Sequence, residues 1–581
     1  MMEAMSEISL PGVGGTTLSF RFSGSANAGL ASAIADALYA ASVSGTLSIT
    51  SYTGGISLPV VPSGTTQELV LAPSVGGSVT VPAPAPGVSQ VLVISNTQPV
   101  TIRGSPGLQI IGGGPDDVYI LDPASIILAD QGGDTTLADL VSVTAADSNY
   151  TVAMRAGNET VYGSGSGTIS GGSVKNLIDV QGSTGSNLII SEGSGGDTVF
   201  TGSGATTIQA TANAKGGLYI DGTGSFTDID TGLNDTIEAL DAASANITTG
   251  GSKAMVIGGT GTLSVQDSGG ADTIAARAGN LSATTGGTNA FVFGSSSTLS
   301  IDAGGGTGDT VAFGAGGGAF MSSASSSDAL AFAGVGRVSV NGSNTTNDTI
   351  VGDSGPLTVN AGSANGLLVF GPLSGTGMDF VGGSSSAIVV GQAGNDTIFG
   401  GSGPLGIVAG PNERLLASGG VSGTTMFGGT NSDITYGTSS GSLLFVAGLG
   451  NETLNASAAT SNATMWAGLD PTAGNSLVGG SGTNVMIAGT GSDTMVGNVS
   501  SQDMFAFFSV NGGAAAKDYI SNFGTLDSVL LYGYGTAAAA VAISGAASSG
   551  GNTTITLSDS TRITFIGVSS ASALSGHIFS S

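Results

Sequence analysis

The residues that could do chemistry in this chain are almost all carboxylates, and they recur at fixed intervals. Glu159, Asp197, Asp235, Asp272, Asp309 and Asp348 follow one another in steps of 38, 38, 37, 37 and 39 residues. Asp396, Asp433, Glu452 and Asp493 continue the series in steps of 48, 37, 19 and 41. A carboxylate can ligate a cation, act as a general acid or base, or close a turn by accepting backbone N–H bonds. The even spacing assigns these acids to a structural repeat rather than to a glycosidase carboxylate pair. Other catalytic equipment is sparse. The one histidine, His577, stands near the end of the sequence, and no His-Glu-x-x-His zinc motif is present. Cysteine is absent, which removes disulfides and thiolate metal sites. Arg155, Lys175, Lys215, Lys253, Arg277 and Arg337 stand singly and make no basic patch. That disfavours a nucleic-acid partner, and also a solenoid lyase or epimerase, which needs bases and carboxylates gathered on one face.

The elements that must position these acids are short glycine-rich units. Gly479 to Val496 reads GGSGTNVMI and then AGTGSDTMV, and Glu192 to Gln209 reads EGSGGDTVF and then TGSGATTIQ. Asn484 and Asp493 hold position six of their nonapeptides, and Met486 and Met495 hold position eight. Each unit is a bend followed by a brief strand. Two units make a coil of about 19 residues, the geometry of a stacked β-solenoid. Acids 37 to 39 residues apart then mark every second coil. Inward positions are predicted at Val199, Ile208, Ile237, Ile274, Val311, Ile350 and Ile398. Phe291, Phe293, Phe313 and Phe370 are expected in the core. The 48-residue step predicts an insertion near Gly371 to Val389.

Composition agrees with an all-β chain. Of 581 residues 102 are glycine without a three-residue period, so collagen is excluded. Hydrophobic residues make up 40% and charged residues 9%, the reverse of a disordered composition. The formal charge of −28 serves solubility or cation binding. Residues 1–100 read as a small α/β cap. Leu18 to Phe22 alternates like a strand. Ala26 to Ser42 is a helix with Ser25 as N-cap, and with Leu30, Ile34, Leu38 and Tyr39 on one face. Strands are expected at Gly45 to Thr50 and Glu68 to Ala72, with Pro82, Pro84 and Pro86 as a linker or stiff edge. Residues 101–500 form the solenoid, and 501–581, opening on the apolar Met504 to Phe508, form a terminal region. The start, MMEAMSEISL, lacks a basic segment and an apolar core, so no cleavable secretory signal is expected there. No run is long enough for a transmembrane helix.

GQAGNDTIF at Gly391 to Phe399, AGLGNETLN at Ala447 to Asn455 and AGTGSDTMV at Ala488 to Val496 fit the frame x-G-x-G-x-D-x-U-x, with U apolar. This frame resembles the repeats-in-toxin, or hemolysin-type calcium-binding, β-roll. The tail, with DYISNF and DSVLLYGY, looks like the region that follows such repeats in type I secretion substrates. The resemblance implies a right-handed parallel β-solenoid, export through an uncleaved C-terminal signal, and Ca²⁺ held between like turns by position-six acids and loop carbonyls. It points to Asp197, Asp396, Asp433, Glu452 and Asp493 as calcium ligands. Asp433 and Glu452, 19 residues apart, are expected to stack on adjacent coils. Other acids alternate with Thr, Asn or apolar residues, where the competing role is an Asx-type turn closure.

Together these readings lead to a secreted structural protein that self-assembles head to tail into a surface layer or matrix fibre. Two rivals stand beside it. One is a monomeric calcium-dependent adhesin or polysaccharide-binding rod. The other is a solenoid lyase or epimerase.

Overall fold

A computed structural model describes residues 6–22, 25–55, 57–95, 97–104, 108–112, 118–121, 125–127, 138–143, 149–154, 158–172, 175–184, 188–322, 326–392, 394–509 and 515–581. The chain is a parallel β-solenoid of about 19 residues per coil. It divides into two units, residues 1–292 and 293–581. Through the coils of each unit, successive strands go alternately to two sheets, and a strand pairs in parallel with the next strand but one. In the sheet that contains Thr236–Ala239, Ile237 pairs with Val256 and Val256 with Ile274. In the opposite sheet, Ile247 pairs with Val265 and Val265 with Ala283. We call the latter the first sheet and the former the second.

The alternation of buried and exposed residues follows from the strand period of two. Val199, Ile208, Ile237, Ile274, Val311, Ile350 and Ile398 are each no more than 1% exposed. They fill the narrow space between the two sheets. Neighbouring coils approach so closely that some turn positions admit only glycine. A Cβ on Gly251 would lie 1.5 Å from the Gly232 carbonyl oxygen, and one on Gly287 would lie 1.6 Å from that of Gly269.

In the N-terminal unit the antiparallel hairpin Ser6–Pro11 and Thr17–Phe22 and the helix Ser25–Ser44 precede the coils. Ile8, Leu10, Phe20, Ile34 and Leu38 pack on Val70, Val91, Val93 and Ile111 of the first coils. Parallel pairing begins at Leu47–Tyr52 against Thr66–Leu71, well before residue 100. Pro82, Pro84 and Pro86 lie in the turn between Gly77–Thr80 and Ser89–Ile94. Tyr39, expected on the packed side of the helix, is instead 68% exposed. Arg155 lies outside the described residues, as do the side chains of Leu30 and Glu159. No described helix is long and apolar enough to cross a membrane.

In the C-terminal unit the ladder runs on through Met504–Phe508, Lys517–Ser521 and Ser528–Tyr532. The hairpin Asn552–Thr556 and Arg562–Phe565 then ends the first sheet. Ile578–Ser580 adds to the second sheet beside Ser528–Tyr532. His577 belongs to this closure. Its Nδ1 lies 2.9 Å from the Asp527 carbonyl oxygen, and its ring meets the edge of Phe523.

Two expectations are corrected. The 48-residue step is not an insertion. Asp348 precedes a strand of the second sheet, whereas Asp396 lies on a strand of the first. The acid series therefore changes sheets, and two and a half coils of about 19 residues account for the step. The phenylalanines are also divided. Phe313 is buried, but Phe291 and Phe293 are 42% and 37% exposed. Phe370 occupies an outward position of its strand.

Gly269→Ala places a Cβ 1.9 Å from the Gly251 carbonyl oxygen. The expected result is a loss of about 1–3 kcal/mol, as for an overpacked core. Accelerated hydrogen exchange in the strands on either side, measured by mass spectrometry, checks it.

Candidate functional site

The recurring acids turn inward and bond across coils. Asp235 Oδ1 accepts the backbone N–H of Gly217 at 2.6 Å, and Asp272 Oδ1 that of Ala254 at 2.8 Å. Asp348 and Asp396 do the same for Ala329 and Met378, at 3.0 and 2.8 Å. The donor occupies the register position of the acid, one coil earlier, as Leu218 opposite Thr236 shows for the next residue along. Each carboxylate thus satisfies an N–H at the start of a strand, where a bend leaves it without a ladder partner. It reaches over a small residue such as Gly217, Ala254 or Ala329. This alternation of an acid with a small residue accounts for the spacing of 37 to 39 residues.

Toward the C-terminus the ladder becomes continuous. Glu452 N–H donates to Asn475 Oδ1, Asn475 N–H to Asp493 Oδ1, and Asp493 N–H to Asp518 Oδ1, at 2.8, 3.1 and 2.9 Å. On the other sheet Asn484 N–H donates to Asp503 Oδ1 and Asp503 N–H to Asp527 Oδ1. The second oxygen holds the turn of its own coil, as Asp493 Oδ2 does for Gly489 N–H and Glu452 Oε2 for Gly448 N–H. The turn-closing role expected of Asp and Asn is therefore joined by an inter-coil role that the repeat alone did not reveal. Burial pushes Asp493 up to about 6 and Glu452 and Asp518 to about 7.

Of the five acids expected to hold calcium, Asp197, Asp396, Glu452 and Asp493 are buried. Asp197 Oδ1 accepts from both the backbone N–H and the side-chain Nδ2 of Asn176, each at 2.9 Å. Asp433 faces outward beside Arg414, with 3.9 Å between Nε and Oδ2. Its register partner is Thr453, so Glu452 lies on the opposite side of the pleat. The structure does not bring Asp433 and Glu452 together. Among the described residues, no three Asp, Glu or His side chains gather in a metal-ligating group.

The outer faces of the C-terminal unit are chemically unlike. On the second sheet, the outward column Phe332, Val351, Phe370, Val390, Val408 and Phe427 continues as Val446, Trp466 and Ile487, each residue in register with the next. The column beside it holds Leu368, Ile388, Gly406, Thr425, Leu444, Thr464 and Val485. Neither column carries a charge. Ile388 and Phe427 are 52% and 47% exposed. The outward positions of the first sheet hold Thr358, Asp379, Thr397, Arg414, Asp433, Thr435, Asn455 and Lys517, interspersed with the exposed apolar residues Val381, Phe399, Leu416 and Tyr519. The apolar column was legible as valine and phenylalanine at strand ends. Its direction was not, because core and outward positions both carry large apolar residues. Comparison with protein-family models, curated proteins and solved structures finds no match for this chain.

Asp493→Ala removes the acceptor of two buried N–H groups, those of Asn475 and Gly489. The expected cost is about 1–3 kcal/mol for each donor left bare. Asp493→Asn retains one amide oxygen and is expected to lose about half as much. Chemical denaturation of both variants followed by circular dichroism makes the comparison.

Proposed function

We propose that this is a secreted structural protein that self-associates on a cell surface or in an extracellular matrix, with a second copy of the chain as its partner. The observation that carries this reading is the charge-free outer face of the second sheet in residues 330–487. A contiguous apolar surface of this kind is uncommon on a monomer and marks an interaction site. Nine coils at about 4.8 Å give it a length of about 40 Å.

A second copy fits because the face matches itself in pitch and shape. Phe332, Phe370, Phe427 and Trp466 stand proud, with Val351, Val390, Val408 and Val446 between them. Two such faces, brought together at the sheet-packing distance of about 10 Å, interdigitate large against small. A chain with a formal charge of −28 repels its copies over most of its surface, and a face without charge is where they meet at least cost. Lateral pairing also suits the ends better than head-to-tail strand addition. The helix Ser25–Ser44 lies against the first coils, and the antiparallel strands Asn552–Thr556 and Arg562–Phe565 end the first sheet. Export is supported by the likeness of the repeats and tail to the hemolysin-type calcium-binding group and by the absence of cysteine. The aromatic residues on the same face would also serve an adhesin that docks on polysaccharide.

The test is a double variant, Phe370→Lys with Phe427→Lys, compared with Thr435→Lys on the first sheet. Sedimentation velocity and electron microscopy are expected to show wild type and Thr435→Lys as assemblies and the double variant as monomer, with unchanged circular dichroism. A wild-type chain that stays monomeric at all concentrations, or a double variant that still assembles, overturns the proposal.

A further inference from the structure

One coil of the N-terminal unit places an acid and a tyrosine between the two sheets, where the coils next to it are aliphatic. Along the first sheet the inward column reads Ile169, Ile190, Ile208, Asp228, Ile247 and Val265. Along the second it reads Ile178, Val199, Tyr219, Ile237 and Val256. Asp228 and Tyr219 are both 0% exposed and belong to one coil, on strands Ser225–Asp230 and Leu218–Ile220. Neither carboxyl oxygen of Asp228 has a hydrogen-bond partner. An ionised carboxylate in such a place is heavily disfavoured, because nothing replaces its lost hydration.

The groups around it are acids. Tyr219 Oη donates to Glu192 Oε2, and Asp197 N–H donates to Glu192 Oε1. Asp230 and Asp235 face each other carboxyl to carboxyl, each holding one backbone N–H, of Gly232 and Gly217. Oδ2 of Asp197, Asp230 and Asp235 has no partner. Two carboxyls in contact bond only when one carries a proton. The strands stacked on either side bring no titratable group inward: Thr206–Ala210 offers Ile208 and Ala210, and Ser244–Thr249 offers Ile247 and Thr249. Lys215 and Lys253, the nearest bases in sequence, are exposed. Among the described residues, no Lys, Arg or His is buried anywhere.

We infer that Glu192, Asp197, Asp228 and Asp230 form a buried proton-binding network beside Asp235, and that this coil is closed when they hold protons and opens when they lose them. This is independent of the self-association proposed above. Burial pushes Glu192 to about 8 and Asp197 and Asp230 to about 7, with neighbouring acids adding to the shift at Glu192 and Asp230, and it holds Asp228 well above the usual carboxylate range. An acid whose folded pKa lies above its unfolded value of about 4 stabilises the fold fully below that value. The contribution is lost as pH rises through the folded values, about 7 to 8.

The test is hydrogen exchange by mass spectrometry on the full chain at about pH 5.5 and pH 8.5, corrected for intrinsic rates. Protection of residues 206–249 is expected to fall at least roughly tenfold with rising pH, one pKa unit being worth a factor of ten. Asp228→Asn, which mimics the protonated acid, and Asp228→Ile, which completes the aliphatic column, are each expected to reduce that fall threefold or more. If Asp228→Ile does not fold, Asp228→Asn decides. Equal protection of wild type at both pH values, or an undiminished fall in Asp228→Asn, overturns the inference. Restoration of wild-type protection at pH 8.5 by millimolar CaCl₂ overturns it in favour of a cation site.

Discussion

The structure depends on the hydrogen bonds that join each coil to the next. Parallel rungs spaced at about 4.8 Å leave little room at the bends, where the chain leaves one sheet for the other. Two devices meet that constraint. Glycine stands where one coil's carbonyl would collide with a Cβ, as at Gly251, Gly269 and Gly287. Inward carboxylates and amides accept the N–H groups that the bends leave unpaired, as at Gly217, Ala254 and Asn475. A buried N–H without an acceptor is rarely tolerated, so both devices recur wherever the coil does.

This division of labour leaves the outer faces free of structural duty. Inward positions are set by packing and by the N–H acceptors, while outward positions need only tolerate a strand. The two sheets of residues 293–581 use that freedom differently. One face mixes Thr, Asn and charges with single apolar residues such as Val381, Phe399 and Leu416. The other carries aliphatic and aromatic residues in unbroken register from Phe332 to Ile487. Coil stacking does not require that difference, and a surface that no folding need explains is best accounted for by a partner.

Much of the fold was legible because a solenoid writes its period into the sequence. The glycine bends gave the coil length, and apolar residues two positions after the acids gave the core, so Ile274 and Ile350 lie where the spacing predicts. Three things were hidden, each for a physical reason. A change of sheet leaves the local motif intact, so the passage from Asp348 to Asp396 reads as an insertion although the coils are regular. A strand that is apolar on both sides carries no alternation, so Phe291 and Phe293 read as core although they face outward. The aim of a carboxylate depends on the coil before it, so the acceptor role of Asp235 or Asp493 appears only once the stacking partner is known. The same limit applies to Asp433 and Glu452. Their separation of 19 residues matches a coil, but an offset of one residue in register sends them to opposite sides of the sheet.

The buried acids bear on how copies of the chain meet. The formal charge of −28 counts every carboxyl as ionised. Yet the inward acids are pushed up by burial, Glu413 to about 8 and Glu452 and Asp518 to about 7, with no buried base among the described residues to oppose the shift. Near neutrality part of that charge is therefore absent, and the rest is carried by acids on turns and on the first sheet. Repulsion between copies is weaker than the composition states, and weakest where the second sheet of the C-terminal unit faces outward. Acid conditions act in one direction on both properties. They protonate the interior, which steadies the coils, and they lower the surface charge, which lets uncharged faces approach. With no buried base among the described residues, carboxylate acceptors of this kind tie the firmness of the coils to pH.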